Sequence, residues 1–252
     1  MEYKTKEYVA AFIDVLGATK MIDADSEKSL NVVHEVYNQA LRSRDKLYNV
    51  ENIASLKPIV KIYSDNIVVA VPTDVGNAFS AFLSVAILSG LIQHEFLHHK
   101  CLVRGGIAMG DFFADDLMIW GNALLDAYYI ESNISIYPRI VIHPKTVEKL
   151  QLTVDARKQK WIKQDADGFF FVDYMQETAV KAFVELLIIR VEQASELLEM
   201  YTEDVKVAQK ILWHRSYLQS KIDFYAPEYS EKLKQEIEEI KATKTRIEDN
   251  KT

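Results

Sequence analysis

The chain has 252 residues and a formal net charge of −7; the length suits one large domain or a domain with an extension, and the charge speaks against a generic nucleic-acid clamp. Cys101 is the only cysteine, which excludes an intramolecular disulfide and a cysteine-built zinc centre and fits a reducing, cytoplasmic setting. The polar start, the charge at Asp14 and the shortness of the apolar stretch at residues 78–92 lead to the expectation of neither a signal peptide nor a membrane span.

Residues 8–17 read as an apolar strand broken by one carboxylate, Asp14, and ended by Gly17 before a helical segment. An Asp inside such a run is costly unless it is paired, hydrogen-bonded or metal-bound; it either caps the following turn or holds a cation. Ser26 is the expected cap of a helix to about Tyr48, with Leu30, Val33, Tyr37, Ala40 and Leu41 on one face. Residues 58–71 then form a hairpin around Ser64-Asp65-Asn66. Alternation places Lys61, Tyr63 and Asp65 on one face, as a site wall or a solvated sheet surface. With Asp14, the second isolated carboxylate points to a hard divalent ion bound between adjacent strands.

A helix over residues 75–99 is apolar nearly all round, so it needs a second layer or a partner subunit to cover it. Its end carries His94-Glu95-Phe96-Leu97-His98, an H-E-x-x-H pattern that on a helix places two imidazoles on one face. The alternative is a set of histidines at a solvated helix end, where cations suit the dipole; no third zinc ligand stands out. Cys101 lacks a base at recognisable spacing. A strand over residues 101–109 contains Arg104-Gly105-Gly106, where backbone approaches something closely. A loop with Asp111, Asp115 and Asp116 follows, then Ile119-Trp120-Gly121 opening a helix over residues 122–131, a strand at 138–142, a short helix from Pro144 and a strand at 169–174. This order suits an α+β sheet with helices on one face. From about residue 178 the pattern becomes helical, ending in a charged stretch around a thin Leu233/Ile237/Ile240 stripe.

Phe12-Ile13-Asp14-Val15-Leu16-Gly17, Ser64-Asp65, Arg104-Gly105-Gly106-Ile107-Ala108-Met109-Gly110, Ile119-Trp120-Gly121 and Pro138-Arg139-Ile140 come in the order and rough spacing of the class III nucleotidyl cyclase catalytic domain. Over residues 8–175 the chain resembles that superfamily. Within it, Gly121-Asn122-Ala123-Leu124, Ala127-Tyr128 and Glu131 most resemble the pyrimidine nucleotide cyclases of Pycsar antiphage defence.

The resemblance implies a ferredoxin-like α+β core in residues 1–177, with a C-terminal helical extension in 178–252. It implies a head-to-tail homodimer with sites between subunits. Asp14, Asp65 and the Ile13 carbonyl would hold two Mg2+ or Mn2+ ions, and backbone amides at Leu16 and Gly17 would receive phosphate. The reaction would convert UTP or CTP to the 3′,5′-cyclic nucleotide and pyrophosphate, as a second messenger for a separate cyclic-nucleotide-responsive effector. Adenylate cyclases carry an Asn and an Arg where this chain has Leu125 and Tyr129, and a base-reading Asp or Thr where it has Met118. Lys61 stands at the position of an adenine-reading Lys. The purine pocket is thus only partly present, and Arg104 and Arg139 are the candidates for the missing charge, Arg104 being assigned as catalytic. Lys61 and Tyr63 are the candidate base contacts. Alternatives are a purine cyclase, a non-catalytic nucleotide-binding module and, remotely, a zinc peptidase.

Overall fold

A computed structural model describes residues 3–50, 53, 55–153, 160–200 and 204–230. In chain order the elements are β1 (Lys6–Val15), α1 (Ala18–Ala24), α2 (Ser26–Val50), β2 (Ile59–Tyr63), β3 (Asn66–Pro72), α3 (Ala78–His98), β4 (Val103–Ala114), β5 (Ile119–Trp120), α4 (Asn122–Asn133), β6 (Ile140–Ile142), α5 (Pro144–Leu150), β7 (Ile162–Gln164), β8 (Phe170–Val172), α6 (Glu177–Met200) and α7 (Val205–Tyr225). They divide into two compact units, Met1–Tyr174 and Met175–Thr252.

The first unit is α+β. Its sheet has the order β2-β3-β1-β4-β6-β8-β7, with β5 paired to β4. All pairings are antiparallel except β4 with β6, whose parallel connection runs through α4, as such crossovers require. β1 is an interior strand, paired with β3 on one edge and β4 on the other, and both its faces are apolar. Val9, Ala11, Ile13 and Val15 join the core under α2 and α3, whereas Ala10 and Phe12 join a second core with Ala123 and Ala127 of α4. The helices therefore cover both faces rather than the single face expected. A strand apolar on both faces over residues 9–13 cannot leave either side wet.

The all-round apolar α3 is satisfied inside the chain. One side lies on β1 and β3, and α2 packs over the other with Val36 and Ala40 in the same core. Its length and composition would allow a membrane span, yet 78% of its most apolar window is buried within the fold. No partner subunit is needed to cover it. The Tyr48 hydroxyl of α2 ties the two helices, meeting the Ser84 carbonyl oxygen at 2.8 Å and Ser84 Oγ at 2.6 Å. Burial, partly offset by the Ser84 hydrogen bond, pushes this phenol up to about 12.

Several boundaries differ from the sequence pattern. Asp25, not Ser26, caps α2, accepting from the Lys28 amide at 2.9 Å. β4 continues through Gly110 to Ala114, paired throughout with β1 and then with β5. Trp120 belongs to β5, and Asp115 shapes the preceding turn by accepting from the Leu117 and Met118 amides, each at 2.8 Å. β7 had no clear periodic signal because only three residues pair.

In the second unit α6 and α7 pack on each other. Leu187 and Val191 of α6, and Leu218 and Ile222 of α7, are buried. Asp204 caps α7, accepting from the Val207 amide at 3.1 Å. Burial, reinforced by the Arg190 charge, brings His214 down to about 4. The Leu233/Ile237/Ile240 stripe lies outside the described residues.

Candidate active site

The candidate residues converge at one end of the sheet. Asp14 is the penultimate residue of β1, registered with Asn66 of β3 and Arg104 of β4. It shares its face with Phe12 and hence with α4, since alternate strand residues share a side. Its carboxylate is paired rather than orphaned: Arg104 Nε donates to Asp14 Oδ2 at 3.2 Å. The other end of that guanidinium reaches α4, with Arg104 Nη2 2.7 Å from Glu131 Oε1. That approach is ionic and off the directions of a well-formed hydrogen bond, because Glu131 Oε1 has no directed donor.

Glu131 is the residue that sequence reasoning left without a role. It is only 3% exposed, in a stripe with Ala123, Ala127 and Ile130. That spacing was a legible signal, since an acid at a core position requires a partner. Burial pushes its carboxyl up; the Ser132 hydroxyl and Arg104 pull it back, and the charges of Asp14 and Asp65 push it up again. Its electrostatic environment thus joins all three carboxylates and Arg104 in one cluster.

Two glycines make this geometry possible. A Cβ on Gly105 would lie 2.6 Å from the Phe12 carbonyl oxygen, and one on Gly106 would lie 2.2 Å from that of Ala127. Bare backbone at Gly106 lets α4 settle directly on β4, bringing Glu131 within reach of Arg104.

Asp65 arrives from the β2–β3 turn. Ser64, with φ 55, adopts the left-handed conformation that closes this two-residue connection. The Asp65 carbonyl oxygen accepts from the Val15 amide at 3.1 Å, tying the turn to the end of β1. Its side chain accepts from Asn66 Nδ2 at 3.1 Å. Lys61 and Tyr63 are registered with Val68 and Asn66, so they share the face of Phe12 and Asp14. The Tyr63 ring is 6.5 Å from that of Phe12, and burial raises its phenol. Behind the hairpin, a largely apolar cavity of about 330 Å³ lies between α1, α2 and Asp65.

Two backbone assignments change. Ile13 is fully buried and registered with Ile67. Since the Val15 amide donates to Asp65, on the β3 side of β1, strand alternation turns the Ile13 carbonyl toward that side as well, into the ladder and not the site. The Leu16 amide donates to the Leu102 carbonyl oxygen at 2.9 Å, so it is already engaged. Gly17 has φ 79 and precedes α1; helix-leading amides have no partner within their own helix.

Arg139 does not join the cluster. It is 1% exposed and ion-paired with Asp165 and Asp167, clamping the β7–β8 turn. Leu125 and Tyr129 are 62% and 54% exposed on α4, and neither carries a cation. With Tyr128, Met118, Trp120 and Tyr63 they form a set of exposed large apolar side chains on α4, β2 and the β5 turn.

The His94-Glu95-His98 pattern is helical as expected, with its ligand atoms all within 4.8 Å of one another. It is the one such trio among the described residues. His94 is buried, and His94 Nδ1 lies 3.6 Å from Glu95 Oε1. Asp14, Asp65 and Glu131 do not form such a trio; the Arg104 side chain contacts both Asp14 and Glu131.

No family model and no curated protein matches the chain. Solved structures similar to it include the monomeric guanylyl cyclase domain of the RhoGC fusion protein from the aquatic fungus Blastocladiella emersonii, at 16% identity and a TM-score of 0.47, covering 68% of this chain and 98% of that one. The guanylate cyclase domain of RhGC from Catenaria anguillulae, in complex with GTP, is similar at 14% identity and a TM-score of 0.47, over 69% and 100% of the two chains. An adenylate/guanylate cyclase/hydrolase from Silicibacter pomeroyi is similar at 15% identity and a TM-score of 0.42, over 68% and 96%.

Proposed function

We propose that the chain is a divalent-metal-dependent nucleotidyl cyclase that acts on a pyrimidine nucleoside triphosphate, UTP before CTP. The observation that carries this reading is the placement of Asp14 near the end of β1 and of Asp65 in the adjoining β2–β3 turn, tied by the Val15–Asp65 backbone bond, with Arg104 on Asp14.

The donor set fits hard cations. Asp14 and Asp65 are half-buried carboxylates, the ligand type that Mg2+ and Mn2+ share with substrate phosphates. Two such ions, if held by Asp14 and Asp65, would supply neutralisation of phosphate charge and activation of the ribose hydroxyl. The residues of the chain then have separable tasks. Asp14 and Asp65 hold the cations. The Gly17 amide, leading into α1, donates to phosphate oxygen. Arg104 offers its guanidinium to the transferring phosphoryl group, where planar donors match phosphate oxygens. The 3′-oxygen would attack the α-phosphorus as its proton passes to solvent water; the bond to the bridging oxygen breaks, and pyrophosphate departs with that electron pair.

Base choice falls to the wall of β2. Tyr63 and Lys61 lie on the site face, where a phenol can fill the space a purine would occupy and an ammonium can donate to a pyrimidine carbonyl. Lys61 alone equally suits a purine, which is the competing reading. The exposed large side chains of Met118, Trp120, Leu125, Tyr128 and Tyr129, on α4 and the segment that leads into it, support a homodimer, since exposed apolar surface is where interaction sites lie. The product would serve in the cytoplasm as an antiviral second messenger read by a separate effector.

The test is incubation of the purified chain with each of UTP, CTP, ATP and GTP plus Mn2+, with mass analysis of products. Cyclic UMP or cyclic CMP as the dominant product is the expected result. A cyclic purine nucleotide moves the chain to the competing reading. No cyclic product from any of the four leaves a nucleotide-binding module.

A further inference from the structure

The Arg104 side chain is shared between two carboxylates with different environments. Its Nε holds Asp14 Oδ2 at 3.2 Å, and its Nη2 lies 2.7 Å from Glu131 Oε1. The Glu131 side chain is 4% exposed, against 19% for Asp14 and 24% for Arg104. Glu131 therefore cannot exchange its partner for water, whereas Asp14 can. A buried acid that loses its counter-charge is strongly destabilised. A partly exposed one readily accepts another cation.

We propose that Arg104 is a built-in competitor for the metal site. It pairs with Asp14 in the structure, and Glu131 is the anchor that retains Arg104 when Asp14 turns to a divalent cation. This inference rests on the metal assignment of the preceding section and adds a positioning residue, Glu131, that sets the affinity of the site. The geometry gives the exchange a short path. Asp14, Arg104 and Glu131 stand on β1, β4 and α4, and the strand register places Asp14 directly opposite Arg104. Release needs only the loss of the Nε contact, while the Nη2 contact keeps the guanidinium at the site edge, ready for phosphate. Loading the metal thus frees a cation at the moment a triphosphate requires one.

The test is Mn2+ affinity, measured by titration calorimetry and by the electron paramagnetic resonance of free Mn2+ on the full chain without nucleotide. Glu131→Gln leaves the guanidinium with Asp14 as its remaining carboxylate, so Mn2+ binding should weaken several-fold. Removing both charges in Arg104→Met/Glu131→Gln should reverse the sign and tighten binding about tenfold, the effect expected from releasing one charge-assisted contact. The double variant also avoids stranding a buried charge. Arg104→Lys separates direct competition from the general field of a cation. Its ammonium keeps the charge beside Glu131 but lacks the Nε that holds Asp14, so it should bind Mn2+ more tightly than the wild type. Equal affinity in Arg104→Lys and wild type, or weakening in the double variant, overturns the competition. If the wild type binds no Mn2+, or Asp14→Asn binds it as well as the wild type, the metal assignment itself falls and the competition falls with it.

Discussion

Gly106 lies against Ala127 so closely that a Cβ on the glycine would stand 2.2 Å from the alanine carbonyl oxygen and 2.7 Å from Ile130 Cβ. The obstacle is helix backbone, which cannot rotate away as a side chain can. Gly106→Ala should therefore push α4 off β4, destabilise the first unit by about 3 kcal/mol or more and withdraw Glu131 from Arg104. Chemical denaturation gives the stability and nucleotide turnover the effect on the site. Wild-type stability in this variant would show that the helix is not seated as described.

Asp14→Asn and Asp65→Asn should each lower turnover at least ~10²-fold while leaving the fold intact, because on the proposed function each removes one anionic ligand from the cation site. Circular dichroism monitors folding, and product formation across a range of Mn2+ concentrations monitors the site. Full turnover in either variant would remove that residue from the metal assignment.

Lys61 and Tyr63 stand two residues apart on the face of Phe12. Lys61→Ala and Tyr63→Ala should each change the ratio of UTP to ATP turnover by about tenfold, because a lost contact to one base costs the two substrates unequally. Equal loss with every nucleotide would mean a packing or phosphate role. Undiminished rates with an unchanged ratio would shift base recognition toward Met118 and Trp120.

His94 and His98 share a face of α3 with ring centroids 4.7 Å apart. The double variant His94→Ala/His98→Ala should retain nucleotide turnover within about twofold, since the proposed cation ligands are the carboxylates of Asp14 and Asp65, not these imidazoles. A chelator-sensitive peptidase activity that disappears in the same variant would restore the zinc reading.

The second unit should carry its own pH dependence. Burial lowers His214 from 6.5 to about 4 in the folded chain. Above 6.5 the imidazole is neutral in both states. Between 6.5 and 4 the unfolded chain binds a proton that the folded chain refuses, so stability falls with falling pH and then levels off. The full loss is about 3 kcal/mol. Denaturation at pH 7.5 and 4.5 should show a smaller difference for His214→Gln than for the wild type. An equal difference would assign the pH response to carboxylates elsewhere.

Much of the first unit was legible along the chain. Apolar runs and turn residues located β1, the β2–β3 hairpin, α3, α4 and α5, because these depend on local periodicity and local turn chemistry. The isolation of Asp14 and Asp65 within apolar sequence was equally local, and both were found as candidates. Short β5 and β7 were not, since two or three paired residues leave no period to detect.

Sequence by itself determined that β1 is apolar on both sides, that α3 needs cover all round and that Gly105 and Gly106 admit backbone at close range. Only tertiary structure decided what supplies each need. α2 covers α3 where a partner subunit was equally possible, and α4 takes the second face of β1. The pairing of β1 with β4 opposes Asp14 to Arg104, and α4 brings Glu131 to the same guanidinium from 27 residues further along the chain. Arg139, equal to Arg104 in the sequence as a source of charge, goes instead to Asp165 and Asp167. Spacing along a chain fixes which groups share a strand or helix face, but a carboxylate's partner is fixed by strand register and helix seating, which depend on contacts between distant segments.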